Sequence, residues 1–395
     1  MSTSSPTHSH KWVFITAGFA MFSMFFGSGN LVFPLVVGYK TLDQFSHAAL
    51  GLLVTGTLVP FLGLLTMIFM NGDTKKFFSK LGAVPGFLLP FLMLALLGPF
   101  GVCARCILVS YGSISLVWPE LPFPIFSISF ALIAALMTLN RKRLVRLLGR
   151  YLTPCLLLGI TLILVVGIWQ ASPPSPSPLG STASFNIGLH QGYQLMDLLA
   201  AFFFSATIVE YLHAHLGKGA SIPYVAKEAV KASGVGITLL AIVYLGFVGL
   251  GASYAPYLHG ASAEKMLILI AQKTLGDMAL PLLALTICLA CLTTLVALAG
   301  LFAEFCQKEM FKGKIGRTPC VIVTYILCSV ISFLGFDELA SWIGGVMDFV
   351  YPALIVLSLV SITDYFMKSN WAPKLFYVAL GVLGLAKVAK AGGLF

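Results

Sequence analysis

Two short patterns inside long apolar runs have the residue types and spacing needed to bind ions. The first is Gly27-Ser28-Gly29-Asn30, followed by Pro34, in an apolar run from about Trp12 to Gly38. Glycine weakens a helix by about 1 kcal/mol and proline by about 3 kcal/mol, so we expect the helix to break at Gly27–Asn30. The N–H groups after the break favour an anion such as a substrate carboxylate, and carbonyl groups freed before it favour a cation. Close helix packing through small residues is the alternative interpretation.

The second pattern is the pair Thr293-Thr294 within the apolar run Ala290–Thr294. Two adjacent hydroxyls in an apolar helix can offer oxygen atoms to a hard cation such as sodium. The alternative is that each hydroxyl bonds back to a carbonyl of its own helix, which is common for threonine.

Five ionisable side chains also fall inside apolar runs: Arg105, Asp197, Glu210, Glu304 and Asp348. A charge at mid-membrane costs at least about 2.5–3.5 kcal/mol, so such groups are functional candidates by default. Arg105 is the deepest cation and requires a partner or a polar cavity, which indicates either a structural ion pair or a gate. Asp197, Glu210 and Asp348 are candidates for gating, charge pairing or carrying a proton.

Composition identifies the class of protein. Of the 395 residues, 58% are hydrophobic and 10% are charged, whereas soluble domains carry about 25% charged residues. With a mean hydropathy of +0.97, the chain is expected to be an all-α polytopic membrane protein in a lipid bilayer. The net charge of +10 does not indicate nucleic-acid binding, because the basic residues lie in short loops between apolar runs. Cys103, Cys106, Cys288 and Cys291 are expected to pack in helices rather than bind a metal.

The apolar runs predict about eleven transmembrane helices, since about twenty residues span a bilayer. The predicted spans are 12–38, 47–70, 86–117, 123–139, 144–169, 192–216, 233–256, 279–307, 318–334, 340–362 and 373–393. With the N-terminus in the cytoplasm, the inside segments hold 18 Lys and Arg residues and the outside loops hold 3, so we expect that orientation.

The proline-rich segment Ser172–Pro178 separates five spans from the next five. Because five is odd, a second set of five would start from the opposite side of the membrane. This parity predicts an inverted repeat, with one unit at about 12–169, the second at about 192–362 and an additional helix at about 373–393, all in a single transporter domain. No nucleotide-binding loop, metalloprotease motif or nucleophile elbow is present in the sequence, which argues against a primary pump and against an enzyme.

The stretch Phe26–Pro34 resembles the F-G-[AS]-G-N-L-[IV]-F-P signature of bacterial branched-chain amino acid:cation symporters, the BrnQ-like family of the amino acid–polyamine–cation superfamily. Weaker matches follow in order along most of the chain: Gly98-Pro99, Arg105, Gly192-Tyr193, Met196-Asp197, Ala303-Glu304-Phe305 and Tyr351-Pro352. Family members generally have twelve spans, one more than we count here.

This resemblance implies a LeuT-like 5+5 inverted repeat in which spans 1 and 6 are broken around the substrate. The implied break in span 6 is near Ser205, where the family usually has glycine. The implied substrate-binding residues are Phe22, Gly27, Ser28, Gly29, Asn30, Phe203, Phe204 and Ser205. The implied sodium ligands are the carbonyls near Ser23 and Phe26, the Ala290 carbonyl and the hydroxyls of Thr293 and Thr294.

The resemblance also implies sodium-driven uptake of leucine, isoleucine and valine across the bacterial cytoplasmic membrane, with sodium as the coupling ion and no other cofactor. Two hypotheses stand beside it. One is proton coupling or exchange of apolar amino acids such as methionine, with Asp197, Glu210 or Asp348 as the proton carrier. The other is a membrane scaffold or solute sensor that binds without transporting.

Overall fold

A computed structural model describes residues 13–139, 153–216 and 222–391, and all regular structure in these ranges is helical. In chain order the helices are α1 Val13–Phe25, α2 Ser28–Thr41, α3 Phe45–Leu53, α4 Val59–Phe69, α5 Thr74–Ser79, α6 Ala83–Leu97, α7 Val102–Val117, α8 Phe123–Leu139, α9 Thr153–Trp169, α10 Ser181–Leu195, α11 Asp197–Leu216, α12 Ile222–Ser253, α13 Met266–Leu275, α14 Leu280–Phe305, α15 Arg317–Ser332, α16 Phe336–Met367 and α17 Ala372–Ala391. A π-helical turn, Val54–Leu58, joins α3 to α4.

The helices confirm the predicted all-α membrane architecture of about eleven spans. In the described chain, six helical segments are long and apolar enough to cross a membrane, and five shorter apolar helices accompany them. Spans 1, 2, 3 and 6 are each built from two helices, namely α1 with α2, α3 with α4, α6 with α7, and α10 with α11. Spans 4, 5, 7, 8, 9, 10 and 11 are α8, α9, α12, α14, α15, α16 and α17, while α5 and α13 are short helices between spans.

Span 1 breaks at the start of the predicted Gly27–Asn30 segment, with only Phe26 and Gly27 outside the two half-helices. Helix α1 ends at Phe25, and Gly27 is extended, with φ −125° and ψ −162°. Helix α2 then begins at Ser28 and tolerates Pro34 in its interior. Thus Ser28, Gly29 and Asn30 form the first turn of the second half-helix rather than an unwound segment.

Span 6 also breaks, but the predicted position near Ser205 is wrong. Helix α11 runs unbroken from Asp197 to Leu216, and the Ser205 hydroxyl donates to the Phe202 carbonyl at 2.9 Å within it. The break lies at Met196, whose backbone is left-handed with φ 59° and ψ 18°. Serine continues a helix because its hydroxyl can bond back to a preceding carbonyl, so nothing at Ser205 forces an interruption.

Span 3 carries a further interruption that we did not predict. Helix α6 ends at Leu97 and α7 begins at Val102, with a turn between them over residues 98–101. The sequence Gly98-Pro99-Phe100-Gly101 explains it, because proline lacks the N–H that would continue the helix and glycine permits the sharp turn. The interruption places the first turns of α7 beside the break of span 1.

Glycine contacts tie span 7 to span 1 and span 2 to span 6. Gly38 of α2 lies against the Val248 backbone of α12, and Gly188 of α10 lies against the Ala48 backbone of α3, with no room for a Cβ atom in either place. Small residues at such contacts let membrane helices approach closely. In a 5+5 inverted repeat, span 1 corresponds to span 6 and span 2 to span 7. The contact of span 7 with span 1 is therefore the counterpart of the contact of span 2 with span 6, as such a repeat requires.

Some sequence predictions concern residues outside the described ranges. They include the start of span 1 at Trp12 and the first part of predicted span 5, residues 144–152. Part of the orientation argument also lies there, namely Lys11, Arg141, Lys142, Arg143, Arg146, Arg150 and Lys218. The cytoplasmic position of the N-terminus and the exact limits of the repeats remain predictions.

Candidate binding site at the two helix breaks

The start of α2 presents main-chain donors at the first break. The Gly27 N–H donates to the Asn30 side-chain Oδ1 at 3.0 Å, which satisfies one of them. The N–H groups of Ser28, Gly29 and Asn30 precede the first intrahelical bond, which Leu31 donates to the Gly27 carbonyl at 3.3 Å. These donors lie at the positive end of the α2 dipole, so the position favours an anion.

Asn30 also connects the first break to the second. Its Nδ2 donates to Asp197 Oδ2 at 3.0 Å and to the Tyr244 hydroxyl, which itself donates to the same carboxylate oxygen at 2.8 Å. All three side chains are at least 97% buried. Asp197 is the first residue of α11, so this cluster fixes the second half-helices of spans 1 and 6 against each other and against α12.

Three of the implied sodium ligands, the Phe26 and Ala290 carbonyls and the Thr294 hydroxyl, come together at the break of span 1. The Thr294 hydroxyl lies 3.4 Å from the Phe26 carbonyl oxygen and 3.3 Å from the Ala290 carbonyl oxygen, while Thr293 donates to the Ala290 carbonyl at 2.7 Å. Ser23 lies one turn before Phe26 on α1. The arrangement gathers hydroxyl and carbonyl oxygens, which are the ligands that hard cations prefer.

Gly27 is close to this oxygen cluster. A Cβ atom on Gly27 would lie 2.9 Å from Thr294 Cγ2 and 3.1 Å from Thr294 Oγ1. A Cβ atom on Gly29 would meet only ordinary contacts, with Leu195 Cα at 3.5 Å and the Phe33 ring. Glycine is therefore needed at position 27 for close approach of α14, and Gly29 faces the end of α10 at the second break.

Arg105 is held at the second break by Gln194. Its two terminal nitrogens donate to the Gln194 carbonyl oxygen at 2.9 Å and to the Gln194 side-chain oxygen at 2.6 Å. The guanidinium also lies 4.9 Å from the centre of the Phe33 ring and 5.8 Å from that of Phe336. Gln194 in turn donates to the Ala340 carbonyl at 2.9 Å, so the cluster joins spans 1, 3, 6 and 10.

Several predicted substrate residues lie away from the second break, although Phe204 contacts Phe25 at the end of α1. Phe203 stacks on Phe78 of α5, and Phe204 packs edge-on against Phe25. With Ser205 they lie two turns or more along α11 from Met196, about 10 Å by helix rise. Phe22 is fully buried and stacks on Phe26 at 5.0 Å, so it does reach the first break.

The remaining charge candidates do not join the cluster. Glu210 is exposed and lies near the far end of α11 from Asp197. Asp348 accepts from His190 at 2.9 Å, and both side chains are more than half exposed. This pair links spans 6 and 10 at the surface rather than at the buried breaks.

Sequence reasoning missed Tyr244, Gln194 and the contact of Cys106 with Ser28. The Cys106 thiol lies 3.4 Å from the Ser28 hydroxyl. Tyr244 carried a signal, because a tyrosine hydroxyl in an apolar run needs a polar partner. Gln194, three residues before Asp197, was a second polar residue in the same place. Neither signal indicates which residue the side chain contacts, because the partners come from spans that are distant in the sequence.

The fold resembles solved transporter structures at low identity. An inward-facing structure of Mhp1 matches with a TM-score of 0.61 and 12% identity over 95% of this chain and 91% of that chain. A manganese transporter of Eremococcus coleocola matches with a TM-score of 0.62 and 12% identity, over 99% of this chain and 89% of that chain. At this identity the likeness shows the fold alone, and it agrees with the expected LeuT-like architecture.

Similarity in sequence is closer to a group of bacterial permeases. The chain is 28% identical to the branched-chain amino acid permease BrnQ of Corynebacterium glutamicum, over 90% of this chain and 82% of the permease. It is 29% identical to the branched-chain amino acid transport system 3 carrier protein of Pseudomonas aeruginosa, over 96% and 88% of the two chains. Residues 10–395 match the family described as branched-chain amino acid transport protein. The chain belongs to this family, the one that its span 1 signature resembles.

Proposed function

We propose that this protein is a secondary transporter, not an enzyme, that carries leucine, isoleucine, valine and similar apolar amino acids into the cell together with sodium. The family and the names of its relatives support the substrate class. The observation that carries the sodium coupling is the Thr294 hydroxyl, which lies between the Phe26 carbonyl at the break of span 1 and the Ala290 carbonyl that also accepts from Thr293. Access alternates between the two sides of the bacterial cytoplasmic membrane, with the N-terminus inside.

In this proposal the substrate lies between the two breaks. Its carboxylate accepts from the N–H groups at the start of α2, from Ser28 to Asn30. Its ammonium group donates to the Leu195 carbonyl at the end of α10, because the Tyr193 carbonyl accepts from the Met196 N–H and the Gln194 carbonyl accepts from Arg105. Phe204, which the resemblance implied as a substrate residue, does not supply this carbonyl, because a carbonyl inside the unbroken α11 is engaged by its own helix.

The proposed site and the co-transported sodium also set the substrate selectivity and the driving force. Apolar walls that include Phe22 discriminate neighbouring side chains by only about 1–3 kcal/mol per methylene, so methionine is expected to enter as well. Each sodium ion that moves inward adds the membrane potential to the concentration gradient, about 2.3 kcal/mol per charge per 100 mV.

The sodium proposal is tested with purified protein in proteoliposomes, by leucine uptake with sodium or with choline outside. The double variant Thr293→Ala/Thr294→Ala should raise the sodium concentration for half-maximal uptake by about tenfold or more, because two hydroxyl ligands are lost. Thr286→Ala is the matched control, since Thr286 lies on the same helix, is only half-buried and bonds to the Leu282 carbonyl away from the break. An unchanged sodium dependence in the double variant, or undiminished uptake in choline, would contradict sodium coupling.

A second candidate function is proton coupling through Asp197. The observation that favours it is that this carboxyl is 3% exposed and has only the neutral donors Asn30 and Tyr244 among the described residues. A buried carboxyl with neutral partners can exchange a proton when the surrounding helices move. Leucine uptake driven by a pH gradient without sodium, and lost in Asp197→Asn, would favour this function over sodium coupling. Binding without accumulation under either gradient would indicate a sensor.

A further inference from the structure

We propose that Arg105 is a substrate-binding residue that recognises the carboxylate of the transported amino acid, with Gln194 taking its place when no substrate is bound. The inference rests on the proposed function and deepens it, because it assigns a charged contact to a site otherwise built from main-chain groups. It also distinguishes amino acids from apolar amines and alcohols of the same shape.

Position is the first support for this role. Arg105 lies on α7 directly before Cys106, whose thiol contacts the hydroxyl of Ser28, the first residue of α2. The α7 backbone therefore passes beside the N–H groups at the first break. The guanidinium reaches Gln194, in the last turn of α10, at the second break. One side chain thus lies next to both breaks between which the substrate is proposed to bind.

Charge is the second support. Arg105 is 1% exposed, and no Asp or Glu in the described ranges forms an ion pair with it. The nearby buried carboxyl, Asp197, is engaged by Asn30 and Tyr244 instead. A cation inside a membrane protein is costly unless a counter-charge or a polar cavity compensates it. Here the Phe33 and Phe336 rings and the negative end of the α10 dipole compensate it only in part.

The way in which Gln194 binds Arg105 is the third support. Two oxygens of a single residue, the main-chain carbonyl and the side-chain amide oxygen, accept from the two terminal nitrogens at 2.9 and 2.6 Å. This is the forked geometry with which a carboxylate binds a guanidinium. In the described part of the chain, Arg105 Nε makes no hydrogen bond, although that atom is buried.

A substrate carboxylate would complete this set. It supplies the missing negative charge, and its two oxygens can bond Nε together with a terminal nitrogen in the forked manner. Gln194 then gives up at least one of its bonds to Arg105. Since Gln194 also holds the Ala340 carbonyl of α16, this exchange transmits binding to span 10.

The test compares two ligands that differ only in the carboxylate. Radiolabelled leucine and leucinol, in which a hydroxymethyl group replaces the carboxylate, are bound to the purified full-length protein in detergent with sodium present. In Arg105→Lys the affinity for leucine should fall by about 10- to 100-fold, the worth of hydrogen bonds between charged groups. The affinity for leucinol should change by less than about threefold, because it does not use the fork.

Gln194→Glu provides a second variant that keeps Arg105. A glutamate here would occupy the fork permanently and compete with the substrate carboxylate, so leucine affinity should again fall while leucinol affinity is kept. Arg317→Lys is the matched control, because Arg317, although less buried than Arg105, bonds the Thr138 carbonyl through a terminal nitrogen and makes no hydrogen bond at Nε among the described residues. It should leave both affinities unchanged.

Three results would overturn the role of Arg105. They are equal losses for leucine and leucinol in Arg105→Lys, unchanged leucine binding with a loss of uptake alone, and a wild-type protein that binds leucinol as tightly as leucine. The last needs no variant to fold. A wild-type protein that binds leucine without accumulating it would contradict the transport function. The ratio of leucine affinity to leucinol affinity, compared between the wild type and Arg105→Lys, would still decide the role of Arg105.

Discussion

The two breaks of this protein are made by different means. The first lies at Gly27, in an extended conformation that any residue can adopt, and its free N–H is capped by Asn30 three residues on. The second lies at Met196, a bulky residue with φ 59°, which costs about 1–2 kcal/mol for a residue other than glycine. Met196 is fully buried, so its surroundings must hold this conformation. The first break is a property of the local sequence, and the second is imposed by packing.

The largest expected effect comes from adding one methyl group at the first break. In Gly27→Ala the new Cβ would press on Thr294 at about 3 Å, and overpacking of this kind costs about 1–3 kcal/mol. The sodium concentration for half-maximal leucine uptake should rise by about 10- to 100-fold. Gly249→Ala is the control, since a Cβ there meets no atom within 4 Å. Unchanged sodium dependence in Gly27→Ala would show that close contact with α14 is not what the glycine provides.

Removing the link between the breaks should have an effect of comparable size. Asn30→Ala deletes the cap on Gly27 and a donor to the buried Asp197 carboxyl, so the free energy of unfolding should fall by about 2–3 kcal/mol. Thr41→Ala on the same helix removes only a bond to the Val37 carbonyl and should cost about 1 kcal/mol or less. Unfolding by a denaturing detergent measures both. Equal losses would mean that Asn30 does not join the two breaks.

A pair of isomeric side chains tests the second break alone. Met196→Ile and Met196→Leu bury similar volumes, but only isoleucine is β-branched and poorly tolerated at positive φ. The isoleucine variant should be less stable than the leucine variant by about 1–2 kcal/mol. Thermal unfolding of the two proteins in the same detergent gives the difference. If they melt together, Met196 does not carry the left-handed turn.

The smallest effect is expected where the family resemblance implied a break. Ser205→Gly weakens the continuous helix α11 by about 0.5–1 kcal/mol and should leave leucine affinity unchanged. Ser205→Ala, which also removes the bond to the Phe202 carbonyl, should be neutral or slightly stabilising. A gain in leucine affinity specific to the glycine variant would restore the hypothesis that span 6 unwinds there.

The sequence was informative where a feature is local. The glycines of Gly27–Asn30 predicted the first break and the apolar runs predicted the spans, whereas the grouping of Ala290 with Thr293 and Thr294 was implied by the family resemblance. The residues that meet from distant spans were less accessible. Asp197 was a candidate charge, but its partners come from spans 1 and 7, and no periodicity records which helices will touch. Met196 is a poor predictor of a left-handed turn, because packing and not its own preference places it there.

The glycine contacts between spans have a mechanical consequence. Span 7 contacts both halves of span 1, at Gly18 and at Gly38. Span 2 likewise contacts both halves of span 6, at Gly188 and at Gly63. These four spans therefore pack closely as one group, whereas Thr294 and Arg105 belong to spans 8 and 3, which pack against each other outside that group. The proposed ion and substrate contacts connect spans 3 and 8 to this group of four spans. The arrival or departure of a ligand there should change how spans 3 and 8 contact the group of four spans, while the close contacts within that group stay the same.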